Sequence, residues 1–269
     1  MTILLVTGCA GPKLHPRGEY RKPPAYKDLA AAPALYSSGF FKIHRLPAGY
    51  DPTAIVTRAE AVADTIRKFL GAANRPEPGR ILIFSPAEPE GKFLLKANRA
   101  RHDCFGRMIR AENILVVVGA VDDPRFFTVL RHEAGHYALA SMLPSKTVVP
   151  FWLDEGLATL FETGIDNQGQ PLPNHERLKM LRYLVKTRFS LGLDALIKPS
   201  IPSYVNGSAY AKAYGMLAFI YQNQRPLPQA LSGLATGDLT SPEWFEKNIL
   251  LPGETRAVFE TALKVWLKR

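Results

Sequence analysis

The sequence predicts an α+β protein, with a small mixed β-sheet in its first half and a mainly helical second half. Short runs of β-branched residues bounded by turn residues lie at 80–85 and 113–120, which is typical of strands. After Asp123, apolar residues recur at helical spacing almost throughout. The 269-residue chain is 46% hydrophobic, so it can bury a substantial core.

The first 33 residues are predicted to lie outside the folded domain, which we place at residues 34–269. From Gly11 to Pro33 the chain is rich in proline and charge without a sustained period, as in a tether or a surface-wrapping segment. Val6-Thr7-Gly8-Cys9 resembles a bacterial lipobox, in which the cysteine becomes lipid-modified. One interpretation is a truncated lipoprotein signal, so that Cys9 anchors an exported protein in the cell envelope or periplasm. The other is a buried opening strand with a free cysteine, because the apolar stretch is short and lacks a positive start.

Residues 34–143 are predicted to form an α+β subdomain. Residues 38–47 have strand character, and residues 53–73 have the amphipathic pattern of a helix that ends near Gly71. The two β-branched runs follow this helix, so the sheet is predicted to be complete before the chain reaches its helical half.

A long helix is predicted to close this subdomain. Asp123 and Pro124 supply an N-cap and a first-turn proline, and the helix can run to Leu143, where Pro144 stops it. The rest of the chain, residues 144–269, is predicted to form a helical subdomain. Its clearest helical segments are 151–163, 176–188, 208–224 and 256–268.

The chain is basic, with 34 Lys and Arg against 24 Asp and Glu and a net charge of +10. No basic motif interleaved with aromatic residues accompanies this charge, which argues against a nucleic-acid partner. Arg177, Arg182 and Lys186 recur as the solvated face of a helix would, so we predict that these side chains face solvent. Cys9 and Cys104 lie far apart and outside any metal-ligand spacing, so they indicate neither a disulfide framework nor a cysteine-ligated metal.

Two histidines and a glutamate lie side by side in the apolar run VLRHEAGHYALASML. His132 and His136 are four residues apart, so on a helix they project from nearly the same line and can chelate one ion through imidazole nitrogens. Glu133 lies to one side, where it can reach a water on that ion but is badly placed to be a ligand. This arrangement is H-E-x-x-H. A tetrahedral catalytic zinc site needs a third protein ligand and leaves its fourth position to water.

The segment PFWLDEGLATLFETG offers the third ligand, Glu155, after 18 intervening residues. That separation allows for the rest of the first helix, a turn and entry into a second helix, with Glu155 in its early turns.

These residues together resemble the gluzincin zinc metallopeptidases. The resemblance is strongest over 126–162 and is closest to the branch with a W-L-x-E-G-x-A segment, which includes zinc aminopeptidases and bacterial peptidase-MA-like proteins. It implies a zincin-like fold that holds one Zn²⁺ with His132, His136 and Glu155. It also implies that Glu133 is the general base for a zinc-bound water, and that the substrate is a peptide or protein.

The same branch carries a tyrosine in a Y-x-K-G segment that hydrogen-bonds the developing oxyanion. Tyr210-Ala211-Lys212-Ala213 matches this segment except for the final alanine, so the resemblance implies that Tyr210 has this role, with Tyr214 one turn later as the alternative. Residues 106–113 depart from the G-x-M-E-N segment of the aminopeptidases, so exopeptidase specificity does not carry over. The four other histidines, which lack ligand spacing, are predicted to be ordinary surface or core residues: His15, His44, His102 and His175.

The sequence therefore predicts a zinc-dependent peptide hydrolase. Two alternatives stay open: a metal-binding envelope protein that uses the same fold without turnover, and core histidines with no metal. The intact Glu133 favours the hydrolase.

Overall fold

The computed structural model describes residues 26–71, 76–98, 100, 103–143, 147–187, 192, 196–197, 207–225, 227 and 242–268. Cys9 and the rest of the first 25 residues lie outside this part of the chain, so both interpretations of the lipobox-like segment stay predictions. The described residues form a five-stranded mixed sheet and helices, which confirms the mixed α and β class.

The sheet has the order β1-β2-β3-β5-β4. Its strands are β1 (Tyr36–Ser37), β2 (Phe41–Arg45), β3 (Gly79–Phe84), β4 (Phe105–Ile109) and β5 (Ile114–Val118). Strands β2, β3 and β5 are parallel, whereas β1 is antiparallel to β2 and β4 is antiparallel to β5. Every residue of β5 is buried, as expected for a parallel strand covered on both faces. In the described part of the chain, β4 pairs with β5 alone and is therefore an edge strand.

Nine helices can be bounded within the described residues. They are α1 (Tyr26–Ala31), α2 (Pro52–Phe69), α3 (Pro89–Ala97), α4 (Pro124–Ala140), α5 (Phe151–Phe161), α6 (His175–Thr187), α7 (Gly207–Gln222), α8 (Pro242–Ile249) and α9 (Arg256–Trp266). The helices predicted at 53–73, 151–163, 176–188, 208–224 and 256–268 correspond to α2, α5, α6, α7 and α9.

Helices cover both faces of the sheet. Alternate residues of β3, such as Ile81 and Leu82, point to opposite faces and belong to two separate apolar clusters. The cluster on the Ile81 side contains α2 and α4, and the one on the Leu82 side contains Ala30 and Leu94 from α1 and α3. Residues 26–31, within the segment predicted as a tether or surface-wrapping segment, therefore form a short helix that packs on the sheet.

Helix α4 begins as predicted, because the Asp123 side chain accepts a hydrogen bond from the backbone N–H of Arg125 and Pro124 occupies the first turn. It ends at Ala140 rather than at Leu143. The Ser141 hydroxyl donates to the carbonyl of Ala138 at 2.8 Å, and turns replace the last predicted helical turn.

Helix α5 lies between α4 and α7, and α6 and α9 pack against α7. Trp152 of α5 is a core residue, since it is 1% exposed and meets Phe245 of α8 edge to face. Among the helices in the described ranges, none combines the length and the apolar character that a bilayer span requires.

Candidate metal centre

Helices α4 and α5 bring the three predicted ligands together. The Nε2 atoms of His132 and His136 are 3.2 Å apart. Oε2 of Glu155, the fifth residue of α5, lies 3.3 Å from the first of these atoms and 3.5 Å from the second. The predicted ligand atoms therefore form a nearly equilateral triangle.

The dimensions of this triangle fit a tetrahedral ion. Zn²⁺ with bonds of about 2.0–2.1 Å at tetrahedral angles places its ligand atoms about 3.3 Å apart. The edges of 3.2, 3.3 and 3.5 Å match that spacing and leave a fourth position for another ligand. Glu155 Oε2 is also buried without a hydrogen bond of acceptable geometry in the described part of the chain. A cation between the three atoms would satisfy this oxygen, so His132, His136 and Glu155 could hold a metal ion.

Gly135, inside the H-E-x-x-H segment, permits this geometry. A Cβ at Gly135 would lie 2.9 Å from the Cα of Ala158 on α5, closer than packed atoms approach. The absence of a side chain therefore lets the backbones of α4 and α5 come into contact. That contact brings Glu155 within reach of the two imidazoles.

A buried carboxylate holds His132 from behind. Nδ1 of His132 lies 3.1 Å from Oε2 of Glu162, which follows the last residue of α5. Because a carboxylate only accepts hydrogen bonds, we place the imidazole proton on Nδ1, which leaves Nε2 for a metal. Glu162 also accepts hydrogen bonds from Asn174 Nδ2 at 2.6 Å and Arg177 Nε at 3.0 Å. Burial by itself raises the pKa of Glu162, but the charge of Arg177 and the contact with His132 outweigh it and lower the pKa to about 2.

The prediction that Arg177 faces solvent is wrong. Arg177 is 4% exposed, and its guanidinium pairs with the Glu162 carboxylate in the interior. Arg177 belongs to the buried stripe of α6 together with Leu181 and Leu184, at spacings of four and three residues. Arg177 thus lies at the helical spacing of the buried residues of α6. Its positive charge alone indicates, wrongly, that it faces solvent. Arg182 is exposed, as predicted.

His136 is held in the same way by Asp154, the residue before Glu155. Nδ1 of His136 lies 2.7 Å from Oδ1 of Asp154, and that carboxylate forms an ion pair with Arg110. Burial lowers the pKa of the His136 imidazole, but the negative charges of Asp154 and Glu155 outweigh burial and raise this pKa to about 10. This raised pKa shows how strongly the surrounding carboxylates attract positive charge at this position.

The site as a whole is suited to a cation. Three carboxylates contact the two imidazoles: Asp154, Glu155 and Glu162. Only two guanidinium groups, those of Arg110 and Arg177, contact these carboxylates in the described part of the chain. The excess negative charge attracts a cation. In the protein alone a proton on His136 meets this charge, and a divalent ion between the ligand atoms would take the place of that proton.

Glu133 lies beside the metal site and outside the set of three ligand residues. It is 2% exposed, and its carboxylate is against the edge strand β4. A Cβ at Gly106 of β4 would lie 2.6 Å from Oε1 of Glu133 and 2.4 Å from a methyl carbon of Val129. Gly106 therefore leaves the room that the Glu133 carboxylate occupies between α4 and β4.

The two candidate oxyanion tyrosines lie one turn apart on α7, and each is 3% exposed. The guanidinium of Arg177 lies over the ring of Tyr210, 5.6 Å from the ring centroid. The Tyr214 hydroxyl accepts a hydrogen bond from the backbone N–H of Asn174 at 3.1 Å. Both tyrosines thus contact the network that surrounds Glu162, and a role at an oxyanion stays a prediction for each.

His44 and His175, the other histidines in the described ranges, do not belong to this cluster. His175 is exposed at the start of α6, and His44 on β2 is partly exposed, as predicted. His15 and His102 lie outside the described residues.

A comparison with models of known protein families gives no match, and neither does a comparison with curated proteins. The interpretation of the metal centre therefore depends on its residue types and its geometry.

Proposed function

We propose that this protein is a zinc-dependent peptide-bond hydrolase of gluzincin type, built on a zincin-like fold. The observation that carries the proposal is the triangle of ligand atoms from His132, His136 and Glu155, with edges of 3.2, 3.3 and 3.5 Å. Its size suits tetrahedral zinc, and a site with three protein ligands and one open position is the arrangement of catalytic zinc.

Bound zinc would act as a Lewis acid that makes water nucleophilic near neutral pH and polarises a carbonyl group. The protein must then supply a proton acceptor next to the ion. Glu133 suits this role because it is one residue from a ligand on α4 and is not itself a ligand. Its carboxylate takes a proton from the attacking water and delivers that proton to the nitrogen of the leaving amine.

A peptide is the substrate class that the surroundings of Glu133 favour. Strand β4 is an edge strand in the described part of the chain, and Gly106 on this strand lies against Glu133. An extended peptide can pair with such an edge through main-chain hydrogen bonds. This pairing would place the peptide backbone beside the carboxylate that moves the proton.

Tyr210 is assigned to the oxyanion. A phenol hydroxyl is a suitable donor to the charge that develops on the carbonyl oxygen. Tyr214 is the alternative one turn later on α7, and its hydroxyl accepts a hydrogen bond from the backbone N–H of Asn174.

The lipobox-like segment supports an exported, envelope-located protein with a lipid on Cys9. Inspection of the coding sequence upstream of Met1 tests this assignment. An in-frame basic and apolar leader is expected, and an immediate in-frame stop codon would rule out a lipidated Cys9.

The decisive experiment measures zinc and hydrolysis in the same preparations. Elemental analysis of wild-type protein is expected to give one zinc per chain, either as purified or after reconstitution. The zinc-loaded protein is then incubated with a broad peptide library, alongside a Glu133→Gln variant at matched zinc content. Undetectable zinc after reconstitution would reject the metal site. Zinc binding with equal activity in both proteins would reject Glu133 as the base, and zinc binding without any cleavage would favour the non-catalytic envelope protein.

A further inference from the structure

We propose that Arg110 is a positioning residue for the metal site, which acts on His136 through Asp154 and ties the edge strand β4 to the metal ligands. This inference rests on the proposed zinc site. It adds a residue that belongs to neither of the two helices that supply the ligands.

A continuous series of contacts connects Arg110 to the ligand atoms. Its guanidinium forms an ion pair with Oδ1 of Asp154, and the same oxygen lies 2.7 Å from Nδ1 of His136. Across the imidazole ring, Nε2 of His136 is one corner of the triangle. Arg110 therefore reaches the metal position through one carboxylate and one imidazole.

The backbone of Arg110 is fixed by the connection between β4 and β5. Residues Arg110–Glu112 form a single 3₁₀ turn that ends at Asn113, whose φ of 51° is in the left-handed region. The carbonyl of Arg110 accepts a hydrogen bond from the N–H of Asn113, and the carbonyl of Asn113 accepts one from Arg80 on β3. The backbone that carries the guanidinium is thus anchored to the sheet.

The Arg110 side chain lies on the side of β4 that faces α4 and the proposed metal site. Met108 belongs to the apolar cluster that contains α4, whereas Ile109 belongs to the opposite cluster. Residues two apart on a strand face the same side, so Gly106 and Met108 both face α4. Arg110 begins the turn directly after the strand, and its ion pair with Asp154 places its guanidinium on that side as well. Arg107 faces the other side of the same strand and is exposed.

Asp154 needs such an anchor more than its counterpart Glu162 does. The Asp154 side chain is 21% exposed, compared with 7% for Glu162. Water can compete for a carboxylate at this position, and a carboxylate that turns to water no longer fixes the His136 ring. Arg110 opposes this rotation with a charged partner on a rigid part of the fold.

Positioning and simple charge repulsion predict opposite results when Arg110 is removed. As a bare positive charge, Arg110 repels a divalent cation, so its removal would tighten zinc binding. As an anchor for Asp154, its removal frees the carboxylate and weakens zinc binding. Loss of an outer-shell partner typically weakens metal affinity about 10- to 100-fold, so we expect about three- to tenfold for a residue one contact further away.

The test is a zinc competition titration against a chromogenic chelator with the full chain, for wild type, Arg110→Gln, Asp154→Asn and the double variant. Arg107→Gln is the matched control, since it removes the same charge three residues earlier, from β4, on the face away from α4. We expect weaker binding in Arg110→Gln, unchanged binding in Arg107→Gln, and no further effect of Arg110→Gln when Asp154 is already Asn. The thermal unfolding midpoints of the metal-free Arg110→Gln and wild-type proteins should agree.

An NMR measurement gives a second readout that a purely structural role would not change. In the zinc-loaded protein, the imidazole Nδ1–H signal of His136 should be lost to solvent exchange in Arg110→Gln. The corresponding signal of His132, whose partner Glu162 is buried, should persist and serves as the internal control.

Several results would overturn the inference: unchanged or tighter zinc binding in Arg110→Gln, an equal loss in the Asp154→Asn background, or an unchanged His136 signal. If the wild type binds zinc and Arg110→Gln behaves as wild type, only this inference fails. If the wild type binds no zinc, the proposed function fails as well.

Discussion

The two histidines of the proposed metal site are each held by a carboxylate paired with an arginine, in different surroundings. Behind His132, the side chains of Glu162 and Arg177 are 7% and 4% exposed and join α5 to α6. Behind His136, the side chains of Asp154 and Arg110 are 21% and 35% exposed and join α5 to the sheet edge. We call the pair Glu162 and Arg177 the buried arm, and the pair Asp154 and Arg110 the open arm. One carboxylate–histidine pair is therefore part of the helical core, while the other is partly exposed at the sheet edge.

The largest expected effect leaves both arms intact. Glu133→Gln keeps the shape of the side chain and removes the proton acceptor, so zinc content and fold should be retained while hydrolysis falls about 10²- to 10⁴-fold. The measurement is the cleavage rate of a peptide substrate at matched zinc loading. Loss of zinc in this variant would contradict the placement of Glu133 outside the ligand set.

The next prediction sharpens the contrast between the arms. Arg177→Met removes the charged partner of the buried Glu162 carboxylate. This loss should lower the free energy of unfolding by about 3–5 kcal/mol. The matched change in the open arm, Arg110→Met, should lower it by about 1 kcal/mol or less, because that pair is partly exposed to water. Urea unfolding of the metal-free proteins measures both values. Equal losses would show that the two arms do not differ in this way.

Tyr210→Phe tests whether the hydroxyl of Tyr210, whose ring lies under Arg177 of the buried arm, stabilises the oxyanion. Loss of one oxyanion donor should lower kcat about 10²- to 10³-fold with little change in zinc content. Tyr214→Phe is the matched control, since it removes the same hydroxyl one turn later on α7. A larger loss of kcat in Tyr214→Phe would transfer the role to Tyr214.

The smallest expected effect is the pH dependence of the stabilisation by Glu162 of the buried arm, which appears only in acid. The pKa of Glu162 is lowered from 4.5 to about 2, so its ionisation stabilises the folded state fully above the unfolded value of 4.5. This stabilisation should be lost as the pH falls from 4.5 toward 2. The difference in unfolding free energy between wild type and Glu162→Gln should therefore be constant above pH 5 or so and shrink below it. A difference that stays constant down to pH 2.5 or so would show that Glu162 does not titrate in this range.

The ligand triangle is the part of the site that local sequence could predict. Helical periodicity places His132 and His136 on one line, and the interval to Glu155 allows one turn between two helices. The residues behind the imidazoles are different, because Arg110 and Arg177 come from other elements and meet the site through tertiary packing. The position of Glu162 could have been predicted from the sequence, since it lies seven residues after Glu155 and so returns to the same helical face.

The fold was predictable where the apolar pattern is long or continuous. Strands β3 and β5 and helices α2 and α4 carry such patterns. Strand β4 was missed, because its sequence FGRMI combines a glycine and an arginine with only three apolar residues. Its place as the edge strand depends on pairing with β5, and the pattern of a five-residue segment does not specify that pairing.

The close contact of α4 with α5 at Gly135 also bears on the order in which the chain folds. All three ligands lie within residues 132–155, so the loop that joins them is short and costs little entropy to close. The parallel strands β2, β3 and β5 instead pair residues from 41 to 118, across long crossovers that form slowly. We therefore expect the α4–α5 hairpin to capture zinc before the sheet is complete, so that zinc present from the start of refolding accelerates recovery of the native state more than zinc added later.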